Sequence, residues 1–325
     1  MKITVILCTY NRCQTLAKML ESVAASKVPD SVEWEVLVVD NNSSDQTRQV
    51  VEDFCRRYPG RFRYLFESQQ GLSCARNAGI RESQSEILSF TDDDAIVEPD
   101  WLWNLTSALQ GREWIGAGGR IIPVWPRPLP GWLSTDDPNA MGPFGAFNVG
   151  TEAGPLKRPP FGGNMAFQRE AFGKYGGFRA DLGRSGSNLQ GREDLEFANR
   201  LLAGGERLRY EPDAVVRHPV AESRMQKRYV LRWWYWYGRS EIVESGPADA
   251  KWLIRGVPLY LFRRLVRWTL QSMISIEAPR RFSCQLRVWY IAGMAVACYQ
   301  SARSKNPQRV AAPCVQGTRP EHAPK

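Results

Sequence analysis

The chain has 325 residues, 43 Lys+Arg against 34 Asp+Glu, and a formal net charge of +9. With 43% hydrophobic and 24% charged residues the composition is globular, which excludes a disordered chain; seven Cys without a C-x-x-C pair argue against a disulfide framework or a zinc site and for a reducing compartment. The charge is uneven: residues 201–325 hold 21 Lys/Arg and 9 Asp/Glu, a net +12, whereas residues 1–200 are net −3.

Lys2–Cys8 reads as a buried strand, its apolar part being too short for a signal peptide. Arg12–Ser26 places Leu16, Met19, Leu20 and Val23 at helical spacing. Strands at Glu35–Val39, Arg61–Phe66 and Glu86–Phe90 alternate with helices at Asp45–Tyr58, Leu72–Glu82 and Pro99–Leu109. Such alternation predicts parallel βαβ units covered by helices on both faces, with ligands beyond the C-terminal strand ends. Gly116–Gly163 contains nine of the 21 Pro and ten Gly and reads as a long shaped loop, either a surface excursion or a wall of the site. Asn164–Arg169 is a strand, Gly191–Gly204 contains a helix, and Arg207–Tyr210 and Asp213–His218 are two short strands. From Arg224 the pattern is helical, basic and aromatic. The last 23 residues, from Arg303, hold four Pro and read as disordered.

Several polar clusters carry chemistry. Asp92-Asp93-Asp94 follows the apolar strand Ile87–Phe90. Like charges packed at a strand end repel unless a cation sits among them, and Asp92 and Asp94 point the same way if the period of two continues. They suit a hard divalent ion, Mg²⁺ or Mn²⁺, that shares its shell with phosphates; a solvated turn capping the next helix would look the same. Glu193-Asp194 opens a helix, where acidic residues are favoured electrostatically or serve as a general base. His218 ends a strand, as a structural residue or as an imidazole ligand. Arg76-Asn77-x-Gly79 lies near a helix start that suits an anion or simple capping.

In chain order, these residues resemble the family 2 glycosyltransferases, inverting nucleotide-sugar enzymes with the GT-A fold, over about residues 1–220. The likeness rests on Val5–Arg12, Val38–Thr47, Gly71–Gly79, Phe90–Asp94, Phe161–Phe167 and Gly191–Phe197. Cys8 departs from the small residue found in many members. The resemblance implies an α/β fold: a GT-A-like, mostly parallel sheet flanked by helices, with a C-terminal helical, basic-aromatic extension. It implies a catalytic domain over 1–220; beyond it the residue pattern reads as a helical region over 221–302 and a tail over 303–325. The resemblance also implies that Thr9, Tyr10, Asn11, Arg12, Asp40 and Asn42 bind the donor, with Asp40 favouring a UDP-sugar. Arg76, Asn77, Asp92, Asp93 and Glu193 would complete the donor site, Asp94 and His218 would hold Mg²⁺ or Mn²⁺, and Asp194 would be the base. The implied activity is transfer of a sugar to a hydroxyl of a glycan or lipid-linked acceptor in cell-surface polysaccharide or glycolipid synthesis. A nucleotidyltransferase would want a glycine-rich turn after the first strand, where Thr9-Tyr10-Asn11-Arg12 stands. A non-catalytic binding protein would not need the acidic set. No GxGxxG follows the first strand, which disfavours a dehydrogenase.

The basic third contains six of the 12 Trp. On a helix through Arg224–Gly238, Arg224, Lys227, Arg228 and Arg232 share a side. Over Pro258–Ile276, Arg263, Arg264 and Arg267 lie opposite Leu261, Phe262, Leu265, Trp268 and Met273. These patterns predict either helices packed on the catalytic domain or interfacial helices on an anionic membrane. The longest apolar run, Val288–Tyr299, has 12 residues against the roughly 18–20 of a spanning helix, and could dip into the bilayer. The expected location is cytoplasmic, peripheral at the inner face of the cytoplasmic membrane, with no nucleic-acid partner.

Overall fold

Ile3, Val5, Ile6 and Leu7 are buried on both faces of β1 (Lys2–Thr9). A parallel strand covered on both sides needs such an unbroken apolar run. The computed structural model describes residues 1–111, 113–186 and 188–303. Helix α1 (Cys13–Ala24) buries Leu16, Met19, Leu20 and Val23, the spacing read from the sequence. Then come β2 (Glu33–Asp40), α2 (Thr47–Arg57), β3 (Phe62–Phe66), α3 (Leu72–Glu82), β4 (Ile87–Asp92), β5 (Ile96–Val97) and α4 (Trp101–Thr106). Gly79 lets α3 lie flat on the sheet, because a Cβ there would stand 2.6 Å from Ile6 Cγ2.

The segment read as loop contains regular structure, a correction to the sequence reading. It holds β6 (Gly116–Val124), α5 (Pro138–Met141) and β7 (Gly154–Pro155). The glycines of β6 mark close packing rather than freedom: a Cβ on Gly116 would strike the Phe167 ring, one on Gly118 would strike Pro160, and one on Gly119 would strike the Ala214 carbonyl. Next follow β8 (Asn164–Gln168), α6 (Arg169–Tyr175), α7 (Glu193–Ala203) and β9 (Leu208–Pro219). β9 unites the two short strands expected there, and its register against β6 shifts at Gly119/Arg120.

Among the described residues the sheet runs β3-β2-β1-β4-β8-β6-β9-β5, with β7 beside β9. β1, β2, β3 and β4 pair in parallel, as do β6 and β9; β8 is antiparallel to both its neighbours. The sheet is therefore mixed. Asn164, fully buried, ties its centre: Oδ1 accepts from Trp101 Nε1 at 2.8 Å, and Nδ2 donates to the carbonyls of Arg120 at 2.9 Å and Ala214 at 2.8 Å.

The C-terminal part comprises α8 (Lys227–Ser245), a small hairpin of β10 (Leu253–Ile254) and β11 (Val257–Pro258), α9 (Leu259–Ile274) and α10 (Ala278–Arg303). α10 packs on both α8 and α9. At the α8–α10 crossing, a Cβ on Gly238 would strike the Tyr290 carbonyl and one on Gly293 the Tyr235 carbonyl, so the two backbones touch. Ile291, Met294, Ala297 and Cys298 are buried in this crossing, which corrects the reading of Val288–Tyr299 as a segment dipping into a bilayer. On α9 the buried stripe is Leu261, with Leu265 and Trp268 packed beside it, while Phe262 and Met273 are exposed. The expected single apolar face is thus two faces. The expected tail lies outside the described residues beyond Arg303.

Candidate active site

The C-terminal ends of β1 and β4 open onto a cavity of about 650 Å³. Thr9 and Tyr10 end β1 and Asp92-Asp93-Asp94 ends β4, all lining it; the parallel register sets Cys8 beside Asp92. Asn11, with φ 52, turns the chain there: its Oδ1 accepts from the Ser44 N–H at 2.7 Å, and its own N–H donates to Ser43 Oγ at 2.9 Å.

Arg12 follows and bridges two carboxylates, with Nη1 2.9 Å from Asp93 Oδ1 and 2.8 Å from Asp94 Oδ2. Asp94 also meets Arg224 Nη2 at 2.9 Å and His218 Nε2 at 3.3 Å. Burial alone would raise the Asp94 pKa; the His218 hydrogen bond and the Arg224 and Arg12 charges overcome it and hold the carboxyl far below its usual range. Asp93 differs: burial outweighs Arg12 and raises it to about 6. His218 Nδ1 is buried without a hydrogen-bond partner among the described residues. Arg224 corrects the helical reading, because it lies in a 3₁₀ turn (Glu222–Met225) before α8 begins and faces Asp94 rather than a membrane.

The turn Phe161–Asn164 knits the rest together. Gly162 donates its N–H to Asp194 Oδ2 at 2.6 Å, and Asp194 Oδ1 accepts from the Leu195 N–H at 2.8 Å. A Cβ on Gly162 would collide with the Arg76 guanidinium, and one on Gly163 would stand 2.8 Å from Asp92 Oδ2. Arg76 is buried; its Nη1 donates to Glu193 Oε1 at 2.8 Å, and Nη2 lies 4.0 Å from Asp92 Oδ1. Burial works against its charge, but Glu193, Asp194 and Asp92 together raise its pKa. Burial and the Asp194 charge push Glu193 up to about 7, against Arg76.

Three residues expected at the site do not line this cavity. Asn42 is exposed at φ 68, and its neighbour Asn41 lines the cavity instead. Asn41 is held by bonds from Nδ2 to the Gln69 carbonyl at 2.8 Å and from the Gly71 N–H to Oδ1 at 2.7 Å. Asp40 is buried beside Thr9 and accepts from Tyr64 Oη and the Ser43 N–H, both at 2.9 Å. Asn77 bonds both ways to the Phe178 backbone, at 2.7 and 2.9 Å, and so anchors a loop. Sequence reading missed Arg184, Arg192, Trp233, Trp234 and Tyr237, which also line the cavity. The Arg192 signal was its place just before Glu193-Asp194; the aromatic signal lay in the basic-aromatic helix, which the sequence left open between packing on the catalytic domain and lying on a membrane.

Comparison with known proteins identifies the family and the fold. Residues 4–176 match the family model described as glycosyl transferase family 2. The chain is 30% identical over 229 residues to the succinoglycan biosynthesis protein ExoM of Rhizobium meliloti (strain 1021), covering 69% of each chain. It is 27% identical over 254 residues to a glucosyl-dolichyl phosphate glucuronosyltransferase of Haloferax volcanii, covering 75% of this chain and 77% of that one. Among solved structures, a mannosyltransferase from Pyrobaculum calidifontis in complex with GDP-Man and Mn²⁺ superposes with a TM-score of 0.55 at 20% identity, over 94% of this chain and 76% of that one. S. aureus TarS residues 1–349 superpose with a TM-score of 0.52 at 16% identity, over 93% and 91%. The fold is therefore GT-A, and the chain belongs to glycosyl transferase family 2 and is a glycosyltransferase.

Proposed function

We propose that the protein transfers a sugar, with inversion, from a nucleotide-diphosphate sugar to a hydroxyl of a glycan or lipid-linked acceptor, in cell-surface polysaccharide or glycolipid synthesis. The carrying observation is one cavity that contains both the Asp92–Asp94 cluster and Asp194, whose carboxylate is aimed by the Gly162 N–H. The names of the relatives point the same way: one acts in succinoglycan biosynthesis, another on a glucosyl-dolichyl phosphate.

Thr9, Tyr10, Asn11 and Arg12 bind the nucleotide end. Asp40 is buried outside the cavity wall and engaged by the Ser43 N–H and Tyr64 Oη, so it braces the turn that carries the donor-binding residues and gives no ground for favouring a UDP-sugar over a GDP-sugar. Arg76 and Asp92 hold the sugar side. Asp194 accepts the proton of the attacking hydroxyl as the new glycosidic bond forms on the face opposite the leaving group, and one displacement inverts the anomeric carbon. The nucleoside diphosphate departs with the bonding electron pair. One base suffices, unlike the paired carboxylates of glycoside hydrolases.

Asp94 and His218 would hold a Mg²⁺ or Mn²⁺ ion through Asp94 Oδ1 and His218 Nε2, a hard oxygen and an imidazole nitrogen 3.3 Å apart, while Arg12 and Arg224 balance the other oxygen of the same carboxylate. Structural neighbours are complexes with Mn²⁺. When bound, the ion supplies Lewis-acid neutralisation of the diphosphate charge. Chelation with EDTA is expected to stop nucleotide release from a panel of UDP-, GDP- and dTDP-sugars, and Mn²⁺ or Mg²⁺ to restore it. Full turnover after exhaustive chelation would remove the metal from this account.

We assign catalysis to residues 1–220 and, within the helical region 221–302, a membrane-facing role to α9, at the inner face of the cytoplasmic membrane. Val266, Leu270, Met273 and Ile274 form an exposed row on α9, and Met273 and Ile274 are 75% and 76% exposed. Arg263, Arg264 and Arg267 alternate with this row, the composition of a helix lying in an anionic interface. Among the described residues no helix is long and apolar enough to cross a membrane.

A further inference from the structure

We propose that the cavity-facing part of α8 is the acceptor subsite and that it takes a pyranose ring; the inference rests on the glycosyl-transfer reading above. The cavity that holds Asp194 is also walled by Trp233, Trp234 and Tyr237. All three lie beyond the residues matched by the family model. Trp233 and Tyr237, one turn apart, stack with centroids 4.9 Å apart and planes at 14°. Trp234 meets Tyr237 edge-on at 5.3 Å, and its indole N–H is spent on the Asn139 carbonyl at 2.9 Å. What α8 offers the cavity is therefore mainly aromatic surface.

Beside it stand polar groups, Asn139, Gln190 and Arg192, which also line the cavity. The Arg192 guanidinium sits 4.8 Å from the Tyr237 centroid. A pyranose has the matching character. Its C–H groups pack on electron-rich ring faces, and its rim of hydroxyls takes fixed polar groups.

The subsite is also built to a fixed distance from Asp194. Arg192, two residues before Asp194, bonds Glu244 on α8 and lies 3.4 Å from Glu241. The Gly191 N–H donates to Ser240 Oγ at 3.2 Å. From behind, the Gly238 and Gly293 crossing seats α8 on α10. A hydroxyl carried by a ring on this platform is thereby positioned toward the base by rigid helices, which is how orientation lowers a barrier.

The test is saturation-transfer NMR on the full chain with diamagnetic Mg²⁺ and UDP, using methyl and octyl β-D-glucopyranoside, galactopyranoside and mannopyranoside as probes. At least one probe is expected to receive saturation at its ring protons, falling at least fivefold in Trp233→Ala and recovering to half or more in Trp233→Phe. Methyl and octyl forms that act alike identify the ring alone as the ligand; octyl forms with stronger ring signals identify a lipid-linked sugar. Saturation confined to the octyl chain, no ring signal from any probe, or an unchanged signal in Trp233→Ala overturns the proposal. UDP titration on the same samples reports folding, and a Trp233→Ala sample that loses UDP is replaced by Tyr237→Leu, judged by the same criteria. Wild-type protein that binds neither UDP nor GDP with Mg²⁺ would overturn the donor reading instead, and the pyranoside result is read separately from it.

Discussion

Glu193 is buried between Arg76 and Asp194, and it is one of two buried carboxyls, with Asp93, that make stability fall as pH rises. Burial raises its carboxyl from 4.5 to about 7, so between these values the native state holds a proton that the unfolded chain releases. Stability from this group is therefore complete below about pH 4.5 and is lost as pH rises through about 7. Thermal melting should show Tm falling over that window. Glu193→Gln keeps an oxygen acceptor for Arg76 and should flatten that part of the curve; identical slopes in both proteins would remove Glu193 as the source. At this scale the sequence was informative where charge clustered. Asp92, Asp94, Asp194 and His218 stood at the ends of apolar strands or at a helix start, and topology gathers such positions at one sheet edge. It was misleading where neighbours exchange roles. Asn41 and Asn42 differ by one step in a turn whose positive φ no spacing rule foresaw, and Asn77 looks like an anion ligand until its Phe178 partner is known.

The helices and strands of the first hundred residues were legible because each carries its own period, four apolar positions on α1 and an unbroken run on β1. β6 was not, because three of its first four residues are glycines, and glycine content signals loop until the partners that demand it are visible. The α8–α10 crossing obeys the same rule. Gly238→Ala puts a methyl group against the Tyr290 carbonyl, and overpacking of this kind typically costs about 1–3 kcal/mol. Denaturant unfolding should register that loss. An unchanged midpoint would mean that the helices do not touch at this point. Arg224 was misread for a related reason: helical periodicity was extended one turn too far, past Gln226, where α8 is capped.

Across the molecule, the surplus of positive charge has two destinations. Arg192 and Arg224 are spent internally on Glu241, Glu244 and Asp94. Arg263, Arg264 and Arg267 remain with the apolar row of α9 at the surface. Sedimentation with vesicles should therefore show binding to membranes containing phosphatidylglycerol, about tenfold weaker on pure phosphatidylcholine, reversed by salt, and reduced by Met273→Glu with Ile274→Glu. No binding to anionic vesicles at low salt would contradict the peripheral location. Sequence composition located this charge correctly in the last third but could not divide it between partners, because pairing across Asp94 depends on the fold. The central claim concerns the chemistry itself. The most direct measurement follows the anomeric proton by NMR while wild-type and Asp194→Asn proteins act on an α-linked nucleotide sugar with Mg²⁺ and an accepted pyranoside. The account predicts a β-linked product from the wild type, and from Asp194→Asn a rate lower by about 10²–10⁴ with nucleotide affinity unchanged. An α-linked product, or an Asp194→Asn protein as fast as the wild type, would contradict it.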